Sequence, residues 1–494
     1  MPKPNLLFLY TDEQRFDTLA AYGNTRICMP NLNRLAAQST VFQRSYVTQP
    51  VCTPSRSSLL TGQYPHTNGC IENNIPLRAD TPCLPEMLTP GEYSCAHHGK
   101  WHLGNEVFAQ HGFTEWRATD DTYHNWYGPE RDQAVRSAYH HWLISHGIQY
   151  NKRVDIPEWI ASRFFREQIM SFPEELSRPA FLGEESSRFI REHQNDSWVL
   201  YTNFLEPHMP FHSARDGQYA PAEVTLPGNF GHALPQTESR KTRLSAEKYR
   251  RYGYDGQQLQ TEQDWRELTA RYWGMCSLVD THVGRILDAL EETGQMDNTI
   301  IVFTSDHGDM MGSHGLLTKT VMFEEAVRVP LMICYPGQKQ GRIVDDPVSQ
   351  IDIVPTLLDM LGQPIPDTLQ GISLRSLVEN GVTASNKRDV VIEWTPDGDQ
   401  IGSDMPDYAR GIGSAAEINA SLGADLRTIV TNDGWKYTWS SAGEDTLYNL
   451  NNDPLEMSEC GQDPAHRDRI VALHDEISKW QERTGDIKEI FAVL

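Results

Sequence analysis

Cysteine, proline and arginine at alternate positions form the first group of residues that could do chemistry, in the run Cys52-Thr53-Pro54-Ser55-Arg56. Pro54 fixes φ as a turn requires, and Ser55, Ser57 and Ser58 are residues that cap the first amides of a helix. We therefore expect Cys52 just ahead of a helix N-terminus, where anions are favoured, with Arg56 one turn further on. A thiol there is expected to have a lowered pKa; a buried structural cysteine is the alternative.

Candidate metal ligands follow three apolar runs that have the pattern of buried parallel strands. The runs are 5–10, 197–204 and 299–304, and the ligands are Asp12, Glu13, His208, Asp306 and His307. Because ligands bind outside the carboxyl ends of parallel strands, we expect these side chains at one edge of a sheet. Carboxylates with an imidazole suit a divalent cation, and oxygen-rich donors favour Ca²⁺, Mg²⁺ or Mn²⁺ over a structural zinc. Each of these groups could instead be a cap at a strand end.

Further polar candidates lie between these runs. Lys100 and His102 are two residues apart, so on an extended segment both point the same way, towards an anion that needs a proton. Asn73, in a loop at 70–77, could offer a neutral hydrogen-bond donor, although an asparagine in a loop is usually a turn residue. Lys319 follows the third apolar run.

The composition limits the function classes. The chain has 494 residues and a net charge of −24, which argues against a nucleic acid or an anionic membrane as partner. An anionic substrate would therefore need a local basic pocket. The sequence has no apolar run of about eighteen residues, so no membrane span is predicted. No signal-peptide pattern precedes the first strand, so we expect a cytoplasmic protein, or a periplasmic one if the chain is a processed form.

The order of apolar runs and helical patterns predicts an α/β domain over 1–383 and a smaller α+β domain over 384–494. Helices are predicted at 30–36, 265–292, 351–362 and 465–483, and further strands at 41–47, 329–335, 390–394, 426–431, 436–439 and 446–450. The apolar stripe of the predicted 265–292 helix is interpreted as part of the hydrophobic core. Long loops and short helices are predicted for 105–191, and a surface excursion for 218–264.

The eight cysteines have no metal-finger spacing, and the seven other than Cys52 are predicted to be mostly free thiols in a reducing compartment. The apolar tail, 487–494, is expected to pack on the body or on another subunit, which would make a homo-oligomer.

Several of these segments resemble the type I sulfatases. The run Cys52-Thr53-Pro54-Ser55-Arg56, followed by Ser57-Ser58-Leu59-Leu60-Thr61-Gly62, is similar to the signature of that family, and Gly99-Lys100-Trp101-His102-Leu103-Gly104 is similar to a second motif. Residues 351–362 and 447–454 also resemble family segments. The resemblance implies an alkaline-phosphatase-like fold, with a large, mixed and mostly parallel sheet flanked by helices and a short antiparallel sheet in the C-terminal domain.

The resemblance also implies a hydrolase of sulfate esters with a modified cysteine. Cys52 would be oxidised after translation to formylglycine, an aldehyde, by a formylglycine-generating enzyme. The implied cofactor is one divalent cation, with Ca²⁺ expected first and Mg²⁺ or Mn²⁺ as alternatives. Its implied ligands are Asp12, Glu13, Asp306, His307 and the modified Cys52. The family usually has aspartate where this chain has Glu13, whose side chain is one methylene longer.

The mechanism implied by the resemblance uses hydrated formylglycine, one hydroxyl of which attacks sulfur and displaces the alcohol. A base then takes the proton of the second hydroxyl, sulfate leaves and the aldehyde returns. By position, Arg56 and Lys100 would anchor the hydrated aldehyde, and His102 would assist its proton transfers. His208 and Lys319 would hold the sulfate oxygens and help to protonate the leaving alcohol, with Asn73 as a further substrate-binding residue.

Other functions remain open. A phosphonate monoester or phosphodiester hydrolase shares this fold and nucleophile, and Asn73, the Asp306-His307 pair and Lys319 are similar to that group. Its members replace the Lys-Trp-His segment with Tyr and Thr, so the intact segment favours sulfate. A sulfated-glycan binding protein with a dead site is less consistent with a complete ligand set, and a two-zinc phosphatase would need a His-rich second site. Twelve tryptophans suit a sugar sulfate, with aryl or small alkyl sulfates as alternatives.

Overall fold

Nine strands form one mixed sheet in the computed structural model, which describes residues 3–123, 127–151, 162–381, 388–402 and 404–488. In chain order they are β1 (Asn5–Asp12), β2 (Thr40–Tyr46), β3 (Ser94–Gly99), β4 (Glu115–Ala118), β5 (Trp198–Pro207), β6 (Thr299–Ser305), β7 (Arg328–Cys334), β8 (Arg342–Val344) and β9 (Val348–Ser349). In space the order is β4-β3-β5-β1-β6-β7-β2-β8, and β9 also pairs with β2.

The sheet is mostly parallel around its central strand. β1 is parallel to both β5 and β6, and β3 is parallel to both β5 and β4. Only β7, among the described strands of this sheet, runs antiparallel, against both β6 and β2. The carboxyl ends of β1, β3, β5 and β6 therefore meet at one edge, which confirms the predicted α/β class.

Helices cover both faces of this sheet. In chain order the α-helices are α1 (Pro30–Ala36), α2 (Cys52–Thr61), α3 (Pro65–Asn68), α4 (Leu84–Met87), α5 (Ala138–Ser145), α6 (Arg166–Met170), α7 (Arg178–Glu192), α8 (Arg240–Tyr252), α9 (Glu262–Glu292), α10 (Glu324–Val327), α11 (Ile353–Met360), α12 (Arg375–Asn380), α13 (Ala415–Leu422) and α14 (Arg467–Thr484). Successive residues of a strand face opposite sides. Accordingly Leu7 packs in the core that contains α9, whereas Phe8 packs in the core that contains α11.

Two segments contain more regular structure than predicted. The stretch 105–191, predicted as loops and short helices, holds the edge strand β4 and the 15-residue helix α7. Small residues occupy part of the buried face of α7, Gly183 among them. The predicted surface excursion, 218–264, contains α8, a polar helix that buries only Thr242 and Leu244.

The C-terminal residues form a second, antiparallel sheet in the order β10 (Val390–Trp394), β11 (Leu426–Val430), β12 (Trp435–Ser440) and β13 (Thr446–Asn449). Its core contains Ile477 and Trp480 of α14. All four predicted strands and the predicted helix are thereby confirmed. The predicted domain boundary at 383/384 and most of the apolar tail fall in 382–387 and 489–494, outside the described residues.

Two further predictions concern the cysteines and membrane-spanning segments. The seven cysteines other than Cys52 are free thiols, as predicted. Within the described ranges, no helix is long and apolar enough to cross a membrane.

Gly99, at the end of β3, lies against the backbone of the neighbouring strand β5. Gly99 has φ of 113°, and a Cβ there would lie 1.9 Å from the carbonyl oxygen of Asn203 in β5. We expect Gly99→Ala to lower the free energy of unfolding by about 3 kcal/mol or more, because backbone must move. The matched control is Gly23→Ala, where φ is 101° and nothing lies within 4 Å. It should cost only the backbone strain, about 1–2 kcal/mol. Equal losses in urea unfolding would contradict the close approach.

Candidate functional site

The cysteine of the first motif lies at the start of α2. The helix begins at Cys52 itself, and its N-cap residue Val51 makes no side-chain capping bond. The cap comes from another segment, because Asn73 Oδ1 accepts a hydrogen bond from the Thr53 amide at 3.0 Å. The predicted position of Cys52 at a helix start is thus confirmed to within one residue. Asn73, predicted as a substrate-binding donor, is here an acceptor that caps the helix.

The serines predicted as caps lie inside α2, so that prediction is wrong. Ser55 Oγ donates to the Asp306 carbonyl and to Gln350 Oε1, the latter at 2.8 Å. Ser57 Oγ donates to the Pro54 carbonyl at 2.6 Å, and Ser58 Oγ accepts from Thr48. The Ser55 hydroxyl therefore fastens the helix to Asp306, one of the predicted metal ligands.

The Cys52 thiol faces two of the predicted ligands. Its Sγ lies 3.3 Å from His307 Nε2 and 3.7 Å from Asp12 Oδ1, and the residue is 1% exposed. Burial, together with the nearby Asp12 carboxylate, raises the pKa of this thiol to about 12. The predicted lowering of the pKa is therefore wrong, because loss of water outweighs the helix start and the ammonium groups of Lys100 and Lys319.

The Asp12 carboxylate connects the cationic side chains to the thiol. Its Oδ2 accepts from Arg56 Nη2 at 2.7 Å and from Lys100 Nζ at 2.5 Å. Its Oδ1 is the oxygen that faces Cys52. Burial alone would raise the pKa of Asp12, but Lys100 and the other nearby cations hold it well below its usual value. Asp12 is therefore a carboxylate with one oxygen free to bind a cation.

Asp306 and His307 complete this group from the end of β6. Asp306 Oδ1 accepts from the amides of Glu13 and His307 at 3.1 and 2.8 Å, and its Oδ2 lies 2.8 Å from Arg56 Nε. His307 Nδ1 donates to the Gly308 carbonyl at 3.0 Å, which leaves the lone pair of Nε2 pointing into the site.

These donors fit a divalent cation. Four ligand atoms lie within 4.8 Å of one another, one each from Asp12, Cys52, Asp306 and His307. All four side chains are buried, and the orientation of the His307 ring by a backbone carbonyl is typical of a metal-binding histidine.

Glu13, the predicted fifth ligand, makes different contacts. It has φ of 67°, and its Oε2 lies 2.9 Å from Lys319 Nζ and 3.3 Å from His208 Nε2. Its Oε1 is buried and has no hydrogen-bond partner among the described residues. Burial, with Asp309 and Asp12 nearby, raises the pKa of Glu13 to about 8 despite Lys319. Glu13 therefore joins the cation group to the Lys319–His208 pair.

Tyr272 also reaches Glu13. It belongs to the helix stripe that was interpreted as core alone, yet its hydroxyl donates to the Glu13 carbonyl at 2.7 Å and accepts from the Arg15 amide at 2.9 Å. That interpretation was incomplete, because a tyrosine can bury its ring and still place its hydroxyl at a polar site.

His208 and Lys319 form the more accessible side of the site. Their side chains are 18% and 10% exposed, and Lys319 Nζ lies 3.0 Å from His208 Nε2. His208 Nδ1 donates to the Met209 carbonyl at 2.6 Å, so Nε2 is the acceptor for the Lys319 ammonium. Burial and Lys319 lower the pKa of His208 well below its usual value, which keeps the imidazole neutral.

Lys100 and His102 do not share an extended segment. His102 has φ of 61°, so the parity argument was wrong. Both carboxylate oxygens of Glu106 accept backbone amides here, from Trp101 and His102, each at 2.7 Å. His102 Nε2 lies 2.9 Å from Asn74 Oδ1, whereas Lys100 reaches Asp12. Burial, with Lys100 and Arg56, lowers the pKa of His102 well below its usual value.

Three residues of the site were not predicted. Asp309 Oδ1 accepts the amides of Met311 and Thr318, which fixes the loop that carries Lys319. The sequence feature that could have identified Asp309 is its position three residues after Asp306. Glu106 and Asn74 lie in loops without periodicity, and nothing in the sequence alone identified them.

The comparisons with known proteins agree with this geometry. Residues 4–363 match the Sulfatase family. An arylsulfatase from Clostridium perfringens is 27% identical over 502 residues, covering 95% of this chain and 93% of that protein. The structure of a phosphonate monoester hydrolase from Silicibacter pomeroyi has a TM-score of 0.74 and 25% identity, covering 98% of this chain and 96% of that one.

A second solved structure supports the fold alone, because only 21% of its residues are identical. It is a complex with its substrate D-glucosamine-2-N,6-O-disulfate, with a TM-score of 0.74 and coverage of 98% of this chain and 99% of that one. Since the family match spans most of the chain and includes β1, α2 and β6 with their polar ends, the chain belongs to the sulfatase family, has its alkaline-phosphatase-like fold and is a sulfuric ester hydrolase.

Proposed function

We propose that this sulfatase cleaves its substrate through a formylglycine made from Cys52, beside one divalent cation. The observation that carries the proposal is the group of donors from Asp12, Cys52, Asp306 and His307 within 4.8 Å of one another. A formylglycine would supply an oxygen nucleophile for sulfur, and the cation would supply charge neutralisation and acidify that oxygen. Maturation would need a formylglycine-generating enzyme as a partner.

Calcium is the proposed cation, with Mg²⁺ or Mn²⁺ as alternatives. Replacing the Cys52 thiol by formylglycine oxygens would make the donor set oxygen-rich, with one imidazole, which favours these cations over zinc. Glu13 Oε1 is buried and without a hydrogen-bond partner among the described residues, so it is available as a further oxygen ligand. Its Oε2 would meanwhile keep Lys319 in place.

The cationic side chains would bind the sulfate group against the acidic net charge. Arg56 and Lys100 neutralise Asp12 and Asp306 from the buried side. Lys319 and His208, on the accessible side, are in position to hold sulfate oxygens and to deliver a proton to the leaving alcohol. His102, a neutral imidazole, is the proposed acceptor of the proton that is released when sulfate leaves.

The proposed substrate is a carbohydrate sulfate, with an aryl sulfate as the alternative. One relative is described as an arylsulfatase, and one structure of the same fold holds a disulfated glucosamine. Asn73 is retained as a proposed substrate-binding residue beside its capping role. The net charge of −24 makes nucleic acid and anionic membranes unfavourable partners. A cytoplasmic location and a homo-oligomer are proposed with this assignment.

A phosphonate monoester hydrolase is the second candidate, favoured by the Silicibacter pomeroyi structure. A sulfate monoester and a phosphonate monoester both carry one negative charge, so the surrounding cations alone do not separate them. The intact Lys100-Trp101-His102 segment is the feature that favours sulfate.

Replacing the nucleophile gives the first test. We expect Cys52→Ala to lower kcat on an aryl sulfate by about 10³-fold or more while substrate binding is retained, because the covalent route is lost. The matched control is Cys28→Ala, at an exposed cysteine away from the site, which should keep full turnover. Unchanged turnover in Cys52→Ala would contradict the proposed nucleophile, and binding without turnover in the unmutated protein would support a dead site.

Removal of the cation gives the second test. Chelation should abolish turnover and lower Tm, and Ca²⁺, Mg²⁺ or Mn²⁺ should restore both, since a cation at 100 times its Kd adds about 2.7 kcal/mol to the free energy of unfolding. In His307→Ala the added cation should no longer raise Tm, whereas the control His141→Ala, at an exposed histidine, should respond like the unmutated protein. A chelated enzyme with full turnover would contradict a cation site here.

A comparison of two esters with one leaving group separates the candidate functions. We expect a higher kcat/KM on an aryl sulfate than on the matched aryl phosphonate. His102→Ala should lower kcat/KM on the sulfate more than on the phosphonate, because His102 belongs to the segment that favours sulfate. Faster hydrolysis of the phosphonate by the unmutated enzyme would make the second candidate the better one.

A further inference from the structure

A second group of metal-binding residue types lies outside the site described above. One ligand atom each from Cys83, Glu86 and His111 lies within 4.8 Å of the other two. His111 Nδ1 is 3.2 Å from Glu86 Oε2. Cys83 is fully buried, and the side chains of His111 and Glu86 are 4% and 33% exposed. The group is therefore largely enclosed and meets water on the Glu86 side.

The start of α4 brings the thiol and the carboxylate together. Cys83 directly precedes the helix, and its amide donates to Glu86 Oε2 at 2.9 Å. This is the backbone half of a capping box, in which the first residue is usually Ser or Thr. A thiol is a weak hydrogen-bond acceptor, so cysteine caps this helix less well than the usual residues. The residue type at position 83 suits a metal better than it suits a cap.

His111 has a strained backbone conformation, and its imidazole lies beside Cys83 and Glu86. His111 has φ of 50°, in the left-handed region that residues other than glycine rarely adopt. Gly112 follows with φ of 78°, and a Cβ there would lie 2.9 Å from Pro85 Cβ and 3.0 Å from Glu86 Cγ. The backbone at Gly112 thus lies closer to α4 than a residue with a Cβ atom would allow.

We propose that Cys83, Glu86 and His111 bind one Zn²⁺, with a water as the fourth ligand. Thiolate, imidazole and carboxylate are the ligands of zinc, whereas Ca²⁺ and Mg²⁺ prefer oxygen alone. Binding replaces the proton of the Cys83 thiol, which leaves to solvent. The remaining proton of the His111 ring then resides on Nε2, because Nδ1 holds the metal.

The zinc would support the reaction site without taking part in the reaction. The ring of His111 stacks on Trp101, with centroids 5.8 Å apart and planes at 29°. Trp101 is fully buried between Lys100 and His102 in the chain. A metal that fixes His111 therefore braces the segment that carries both residues. The proposal does not depend on the identity of the ester that the enzyme hydrolyses.

The test counts zinc in the full-length chain with the reaction-site thiol removed. The Cys52→Ala variant is equilibrated with Zn²⁺ and freed of excess by gel filtration, and its zinc is measured by mass spectrometry of the element. We expect about one more zinc per chain than in the same protein with Cys83→Ala added, because Asp12, Asp306 and His307 remain in both and can hold a cation of their own. With Co²⁺ instead, a thiolate-to-cobalt charge-transfer band is expected in the near ultraviolet.

When Cys83→Ala is added to Cys52→Ala, the zinc content should fall by about one per chain and the cobalt charge-transfer band should disappear. Both signals should persist when Cys95→Ala is added instead, since Cys95 is a buried thiol whose Sγ lies near a backbone carbonyl. If Cys83→Ala fails to fold, His111→Asn in the Cys52→Ala background decides, because asparagine tolerates the left-handed backbone. It should lose this zinc and keep its circular dichroism spectrum. Absence of zinc in Cys52→Ala, or a zinc content unchanged by the substitution at 83 or 111, would overturn the proposal.

Discussion

The buried carboxylate of Asp12 is the interaction on which the rest of the site depends. One oxygen is neutralised by Arg56 and Lys100, and the other faces the Cys52 thiol and His307. Without the two cations, a carboxylate at 0% exposure would take up a proton and lose its affinity for a metal. The fold meets this requirement by drawing the pair from two different elements, α2 and the end of β3, onto the end of the central strand.

Glu13 shows how one added methylene changes the contacts of such a site. An aspartate at this position would be shorter, whereas Glu13 reaches Lys319 and His208 with one oxygen and keeps the other buried without a partner among the described residues. The accessible cations are thereby tied to the same strand end as the buried ligands. Glu13 thus connects the Lys319 loop to the end of β1, as does Arg15, whose guanidinium donates to the carbonyl groups of Asp309 and Met310.

The elements that position the site could largely be predicted from the sequence, because β1, β5 and β6 are continuous apolar runs and parallel strands deliver their polar ends to one edge. This reasoning brought Asp12, Asp306 and His307 together correctly. What failed depends on contacts distant in sequence: Asn73 caps α2 instead of the local serines, and desolvation reverses the expected pKa shift of Cys52. No local sequence pattern predicted the left-handed backbone at His102 or the hydrogen bond that Glu106 accepts from the His102 amide.

In the proposed arrangement, residue 52, Asp12, Asp306 and His307 surround one cation beside an oxidised side chain. Anomalous diffraction from crystals of the matured enzyme loaded with Mn²⁺ tests it most directly. We expect a manganese peak enclosed by these four residues and a side chain at position 52 that contains oxygen and no sulfur. A peak bounded by other residues, or an intact sulfur at position 52 in active enzyme, would contradict the account.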